Sequence, residues 1–149
     1  MKMKNKLIKI RMMFNKTMKI LNVTSKSRDE FIDITDKIQQ VVSSAEPIEN
    51  GYCMLFVPHT TAGITINESA DPSVRFDILT ILNRLIPWEA GYRHMEGNSA
   101  AHVKSSLVGV SQQVAVAHNR LVLGTWQGLF FCEFDGPRNR QVHIHLYGS

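Results

Sequence analysis

A succession of β-type patterns, interrupted by only two helical ones, constrains this chain more than any other feature. Ile20–Ser25 and the strictly alternating Phe31–Ile34 predict two short strands joined by the polar turn Lys26–Glu30. Thr35 or Asp36 can cap a helix to about Ala45, because Ile38, Val41 and Val42 recur at helical spacing. Pro47, Asn50 and Gly51 then mark a loop, Tyr52–Val57 a buried strand, and Gly63–Asn67 its neighbour. The clearest helix follows, with Asp71 as N-cap and Pro72 in the first turn. Val74, Ile78, Ile81, Leu82 and Leu85 fall on one face. Pro87–Ala101 is rich in Gly and polar residues and reads as a loop. Strand patterns return at Ser106–Val110, Gln112–Ala117, Arg120–Leu123, Leu129–Phe134 and Gln141–Tyr147. This order predicts an α+β fold, with largely antiparallel extended sheets and two main helices. Two helices cannot cover both faces of so large a sheet. Either the sheet folds into two layers, or another subunit covers the bare face.

Composition narrows the class. The chain has 149 residues, 44% of them hydrophobic and 20% charged, as expected of one globular domain. No apolar run reaches the ~20 residues needed to span a bilayer. Two cysteines cannot build a disulfide scaffold or a four-cysteine zinc site, so a reducing, cytoplasmic setting is the expectation. The net charge of +4 is unevenly distributed. Residues 1–28 hold nine Lys or Arg and no acid, whereas residues 29–149 hold eight basic and thirteen acidic residues. The basic character therefore belongs to the N-terminal segment, and nucleic-acid binding is excluded for the domain itself. Residues 1–17 read as a flexible basic extension and residues 18–149 as a single domain.

Two polar clusters stand where core residues would otherwise be expected. Val57-Pro58-His59-Thr60-Thr61-Ala62-Gly63 joins two apolar strands, and Asn67-Glu68-Ser69-Ala70-Asp71 leads into the helix. His59, Thr60, Thr61 and Glu68 lie at strand ends, a common way to assemble a site, although a polar hairpin loop explains them equally. In the second cluster, His102-Val103-Lys104-Ser105-Ser106, a Lys beside paired hydroxyls suits an anionic oxygen. It lacks the frame of a P-loop. Trp126 and Gln127, bracketed by Gly124 and Gly128, either clamp a ring or close a hairpin. His143 and His145 share one face of the last strand, and a solvent-facing pair is expected there. His118 falls in a turn. Cys53 and Cys132 sit in apolar runs as small buried hydrophobes. Glu133, after four apolar residues, requires a partner, and Arg138 is one candidate.

Taken together, H-T-T-A-G-I-T-I-N-E-x-A-D-P-x-V-R, then R-H, A-H-V-K-S-S-L-x-G, G-T-W-Q-G and C-E-F-D-G-P-R resemble the YjbQ family, also called UPF0047. The resemblance runs from about Met18 to Gly148. It implies an α+β homotrimer with sites near subunit boundaries, and a secondary thiamine-phosphate synthase activity. That activity transfers a pyrimidine group to a thiazole phosphate and releases pyrophosphate. Carried over by motif, His59, Glu68 and His102 are the catalytic candidates, with His94 and Glu133 alongside them. Thr60, Asn67, Lys104, Ser105, Ser106, Trp126 and Gln127 are the substrate-binding candidates. Two departures stand out. Met95 and the short Glu96-Gly97-Asn98-Ser99 occupy the place of an acidic residue and a longer acidic loop in many members, and residues 1–17 lie outside the pattern.

Three functions follow as expectations. The first is a transferase acting on phosphorylated heterocycles, assisted by a divalent metal such as Zn or Mg. Lys104 with Ser105 and Ser106 would take the phosphate, Trp126 would face a cationic pyrimidine and Glu68 would hold the metal. A cluster of the D-D-x-x-D kind is absent from the sequence. The second is a metal-dependent hydrolase in which His59, His94 and His102 form a zinc centre with Glu68 as base. The third is a non-catalytic trimeric binder of a small anionic metabolite.

Overall fold

The computed structural model describes residues 15–149. Most of the basic extension lies outside the described residues, but strand β1 (Asn15–Thr24) begins inside the segment expected to precede the domain. The remaining elements are β2 (Glu30–Asp33), α1 (Thr35–Ser43), β3 (Asn50–Phe56), β4 (Ala62–Glu68) and α2 (Pro72–Leu85). They continue as α3 (Ser99–Val108), β5 (Ser111–Ala117), β6 (Arg120–Leu121), β7 (Gln127–Glu133) and β8 (Asn139–Gly148). No helix among them is long and apolar enough to cross a membrane.

The strands form two antiparallel sheets, one ordered β1-β8-β3-β5-β6 and the other β2-β7-β4. The α+β class with two sheet layers is as expected. Sequence neighbours, however, part company: β1 pairs with β8 and β2 with β7, while β3 and β4 fall in different sheets. The segment 57–61 carries the chain from one sheet to the other. That crossing opens a gap between the two sheet ends.

Period-2 alternation sorts the side chains. Leu129 and Phe131 of β7, with Ile64 of β4, face Cys53, Leu55, Val114, Val116, Ile144 and Leu146 of the larger sheet. Burial raises the Cys53 thiol to about 12, in keeping with a packing role. Phe130, Cys132 and Phe134 point the other way and pack under the helices with Phe31 and Ala101. The larger sheet keeps an outer face with Met18, Ile20, Tyr52 and Phe56 exposed. Rings stack along it, Tyr52 on Tyr147 and His143 edge-on to Phe56, so His143 and His145 border aromatic neighbours.

Among the described residues three helices form, where the sequence predicts two main ones. Ser99–Val108 is helical, although the sequence predicts a loop to Ala101 and a strand over Ser106–Val110. Its buried positions are Ala100, Ala101, Lys104 and Ser105, which recur at helical spacing but are small or polar. Gly109 ends it with φ at +91°, a left-handed conformation that a side chain would strain. Helix α2 has the expected Asp71 cap, whose carboxylate accepts the Ser73 N–H at 2.9 Å. Ile78 and Leu82 pack inward, but Ile81 and Leu85 are exposed. Helix α1 is capped neither by Thr35 nor by Asp36. The Asp33 carboxylate accepts the Thr35 N–H at 2.9 Å instead, and Thr35 Oγ1 accepts the Leu129 N–H.

Candidate functional site

The chain crossing after β3 and the end of α3 enclose a cleft. Val57 donates to the Val110 carbonyl at 2.8 Å, Ile64 donates to the Gly109 carbonyl at 3.0 Å, and Ser105 Oγ donates to the Ala62 carbonyl at 2.6 Å. Only glycine allows β4 to approach so closely, since a Cβ on Gly63 would lie 2.6 Å from the Gly109 carbonyl. Two chambers adjoin there. A cavity of about 850 Å³ is walled by Phe56, Val57, Pro58 and Val110, together with Ser105 and Ser106 of α3. A smaller one of about 330 Å³ holds Thr61, Glu96, Asn98, Asp135, Arg138 and Arg140. Pro58, His59, Thr60 and His102 line both, so the two imidazoles stand where the apolar chamber meets the polar one.

The floor of the polar chamber is an ion pair that closes one end of the inter-sheet core. Glu133 continues the inward parity of Leu129 and Phe131, and Arg140 that of Val142 and Ile144. Arg140 donates through Nε and Nη2 to both Glu133 oxygens, at 2.8 and 2.6 Å, and through Nη2 to Thr61 Oγ1 at 2.8 Å. Ser25 Oγ adds a fourth hydrogen bond, to Glu133 Oε2. Burial opposes the charge on Glu133, but the hydrogen bonds outweigh it and hold the carboxyl below the usual range. The partner of Glu133 is thus Arg140. Arg138 instead pairs with Asp135 at 3.0 Å on the rim.

His59 accepts the Gln141 N–H at Nε2, 2.9 Å away. Partial burial, then the nearby Arg140 charge, hold its pKa below the ordinary imidazole value. His102 and His94 meet edge to face, with centroids 5.3 Å apart, and His94 lies 3.8 Å from Glu96. Among the described residues, no three His, Cys, Asp or Glu side chains are arranged to hold a metal ion. The expected three-histidine zinc centre of His59, His94 and His102 is thus not assembled among the described residues of one chain.

The other candidates divide sharply. Lys104 is buried, and its ammonium donates to Asp29 at 2.9 Å and to Asn83. It faces the helix layer instead of an anion site, as its place on the buried face of α3 dictates. Ser105 Oγ is spent on Ala62, and Ser106 Oγ donates to the His102 carbonyl. Asn67, Glu68, Trp126 and Gln127 gather at the opposite end of the smaller sheet, where Glu68 pairs with Gln127. Ala62 pairs with Glu133 at the cleft end, six residues away along β4, or about 20 Å at the rise of a strand. Asn67 caps its neighbour's N–H, and the Gln127 amide closes the turn at Gly124. Within one chain, therefore, Glu68 meets none of the histidines. Phe56, Asn98, Asp135 and Arg140 were not singled out in sequence. Arg140 precedes the strand expected at Gln141–Tyr147, and extending the inward parity of Val142 and Ile144 back to it is the signal that could have found it.

The chain matches the family described as UPF0047 protein YjbQ-like over residues 19–149. It is 52% identical to the UPF0047 protein YugU of Bacillus subtilis (strain 168), across 88% of this chain and 99% of that protein. A UPF0047 protein of Methanocaldococcus jannaschii is 49% identical, over 85% and 91% of the two chains. Among solved structures, an uncharacterized conserved protein from Clostridium acetobutylicum superposes with a TM-score of 0.83 at 47% identity. It covers 85% of this chain and 98% of its own. A protein of unknown function from Sulfolobus solfataricus P2 reaches 0.87 at 32% identity, over 91% and 99%.

Proposed function

Because this chain belongs to the YjbQ/UPF0047 family, we propose that its cleft binds a small heterocycle bearing a phosphate or similar anion. The reaction carried out there is a thiamine-phosphate synthase-like transfer. The observation that carries this reading is the junction of an apolar chamber with a polar one at His59, Thr60 and His102. Phe56, Val57, Pro58 and Val110 hold the ring by apolar contact. Arg140, Thr60 and the imidazoles direct hydrogen bonds at the anion. Arg140 is fixed by its bonds to Glu133 and Thr61, so it meets developing charge with little reorganisation. In the transfer, the thiazole nitrogen forms a bond to the pyrimidine methylene carbon as the bond to pyrophosphate breaks. The leaving pyrophosphate takes the electron pair into the polar chamber.

Incubation of purified protein with the pyrimidine diphosphate and the thiazole phosphate tests this. Wild-type protein should form thiamine phosphate, and His102→Ala should lower the rate at least about tenfold. Trp126→Ala, at the far end of the sheet, should stay within about twofold. No product from wild-type protein, or equal losses in both variants, would contradict the assignment.

The same reading includes a homotrimer. Its supporting observation is the outer face of the larger sheet, where Met18, Ile20, Tyr52 and Phe56 remain exposed around stacked rings. Light scattering at micromolar concentration should give three times the chain mass of 16.9 kDa. A stable monomer would refute it.

A further inference from the structure

Strand β3 ends at Phe56, opposite His143 of β8, two residues short of Gln141. The Gln141 N–H thus has no β3 residue to pair with, and it donates to the imidazole of His59 at 2.9 Å instead. The residue before it, Arg140, is clamped by both oxygens of Glu133 and by Thr61. The peptide that carries the Gln141 N–H is therefore held by the buried ion pair.

A nitrogen that accepts an N–H cannot hold a proton in the same place. Nε2 of His59 must present its lone pair, and the proton of the neutral ring resides on Nδ1. Nδ1 has no hydrogen-bond partner among the described residues and is not sealed in the interior, while the ring lines both chambers of the cleft. The charged and titratable groups around the ring are Arg140 and His143 of β8, Glu133 of β7 and, lining the same chamber, His102 of α3, Glu96, Asp135 and Arg138. Arg140 disfavours a second proton on the ring, and so does burial.

We infer that His59 is locked as the Nδ1–H tautomer and presents that N–H as a neutral hydrogen-bond donor to an acceptor oxygen of the ligand, with Arg140 and Glu133 as positioning residues. The inference rests on the cleft being the ligand site. It adds a selection rule: the group beside His59 is an acceptor, such as a phosphate oxygen, and a ligand offering only an N–H donor there is rejected.

Long-range ¹H–¹⁵N spectra of the histidine rings, assigned with His59→Gln, test the lock without any ligand. Nε2 of His59 should show the shift of an unprotonated nitrogen and Nδ1 that of a protonated one. The pattern should persist below the ordinary imidazole value of 6.5. A protonated Nε2 in the neutral ring would overturn the inference and leave the binding reading intact. Addition of inorganic pyrophosphate should then move the Nδ1–H resonance saturably. If cleft amides shift while Nδ1–H does not, the donor role is overturned. If neither shifts, the binding reading falls with it. Two variants separate the ring's roles. Asn can place an amide N–H near the Nδ1 position, and Gln reaches only the Nε2 position. His59→Asn should hold pyrophosphate within about threefold of wild type, and His59→Gln should lose about tenfold. The reverse order would contradict the donor role.

Discussion

Replacing Arg140 with Met is expected to destabilise the protein by on the order of 3–5 kcal/mol, because it leaves the Glu133 carboxylate buried without its cation. Glu133 is fully buried, and Arg140 supplies three of the hydrogen bonds at this end of the core, two to Glu133 and one to Thr61. Urea unfolding monitored by tryptophan fluorescence would read the loss. A change below about 1 kcal/mol would show that solvent reaches the carboxylate when Arg140 is gone. Removing both charges, with Arg140→Met and Glu133→Leu together, should cost less than the single change, since no unpaired ion remains. The pH dependence has a definite sign. The carboxyl of Glu133 is held below its ordinary value of 4.5, so its contribution is complete above that value. It is lost as pH falls below 4.5 toward the lower folded value. The stability gap between wild type and Glu133→Gln should therefore narrow on acidification below 4.5, and a gap that widens would contradict the pairing.

Lys104→Met should destabilise by about 1.5–3 kcal/mol while leaving binding in the cleft unchanged. The Lys104 ammonium is buried between Asp29 and Asn83, with the Phe134 ring 5.9 Å away. Its loss leaves Asp29, itself only about one-tenth exposed, with the half-exposed Arg28 at 3.2 Å as its remaining cation. A weaker pyrophosphate affinity at unchanged stability would return Lys104 to the anion-binding role that its sequence context suggested. The double change Lys104→Met with Asp29→Asn should recover part of the loss.

The contrast between Lys104 and Arg140 shows what the sequence made legible. Strand parity in Leu129–Phe134 and Gln141–Tyr147 was plain, so the inward residues of β7 and β8 could be read directly. That parity also pointed to Glu133 as a buried carboxylate. Its partner Arg140 stands only seven residues on, but the intervening turn carries the chain from one sheet to the other, and the sequence does not show that β7 and β8 oppose each other across the core. Helix α3 stayed hidden because its buried face is Ala100, Ala101, Lys104 and Ser105. Small and polar residues leave no hydrophobic period to detect, and tertiary packing decides the conformation. The motif residues were identified correctly as a family pattern, but a pattern in sequence carries no distance. His59, Thr60 and His102 meet at the cleft, whereas Glu68, Trp126 and Gln127 sit at the far end of β4 and β7.

That separation makes the location of the ligand the most direct test. Backbone amide shifts should be followed as thiamine phosphate is titrated into the trimer or monomer as it exists in solution. Saturable shifts are expected at Phe56, Thr60, His102 and Gly109, with little change at Asn67, Glu68, Trp126 and Gln127. Shifts confined to the second group, or none anywhere at millimolar ligand (~4 kcal/mol of binding free energy or less), would contradict the cleft as the functional site.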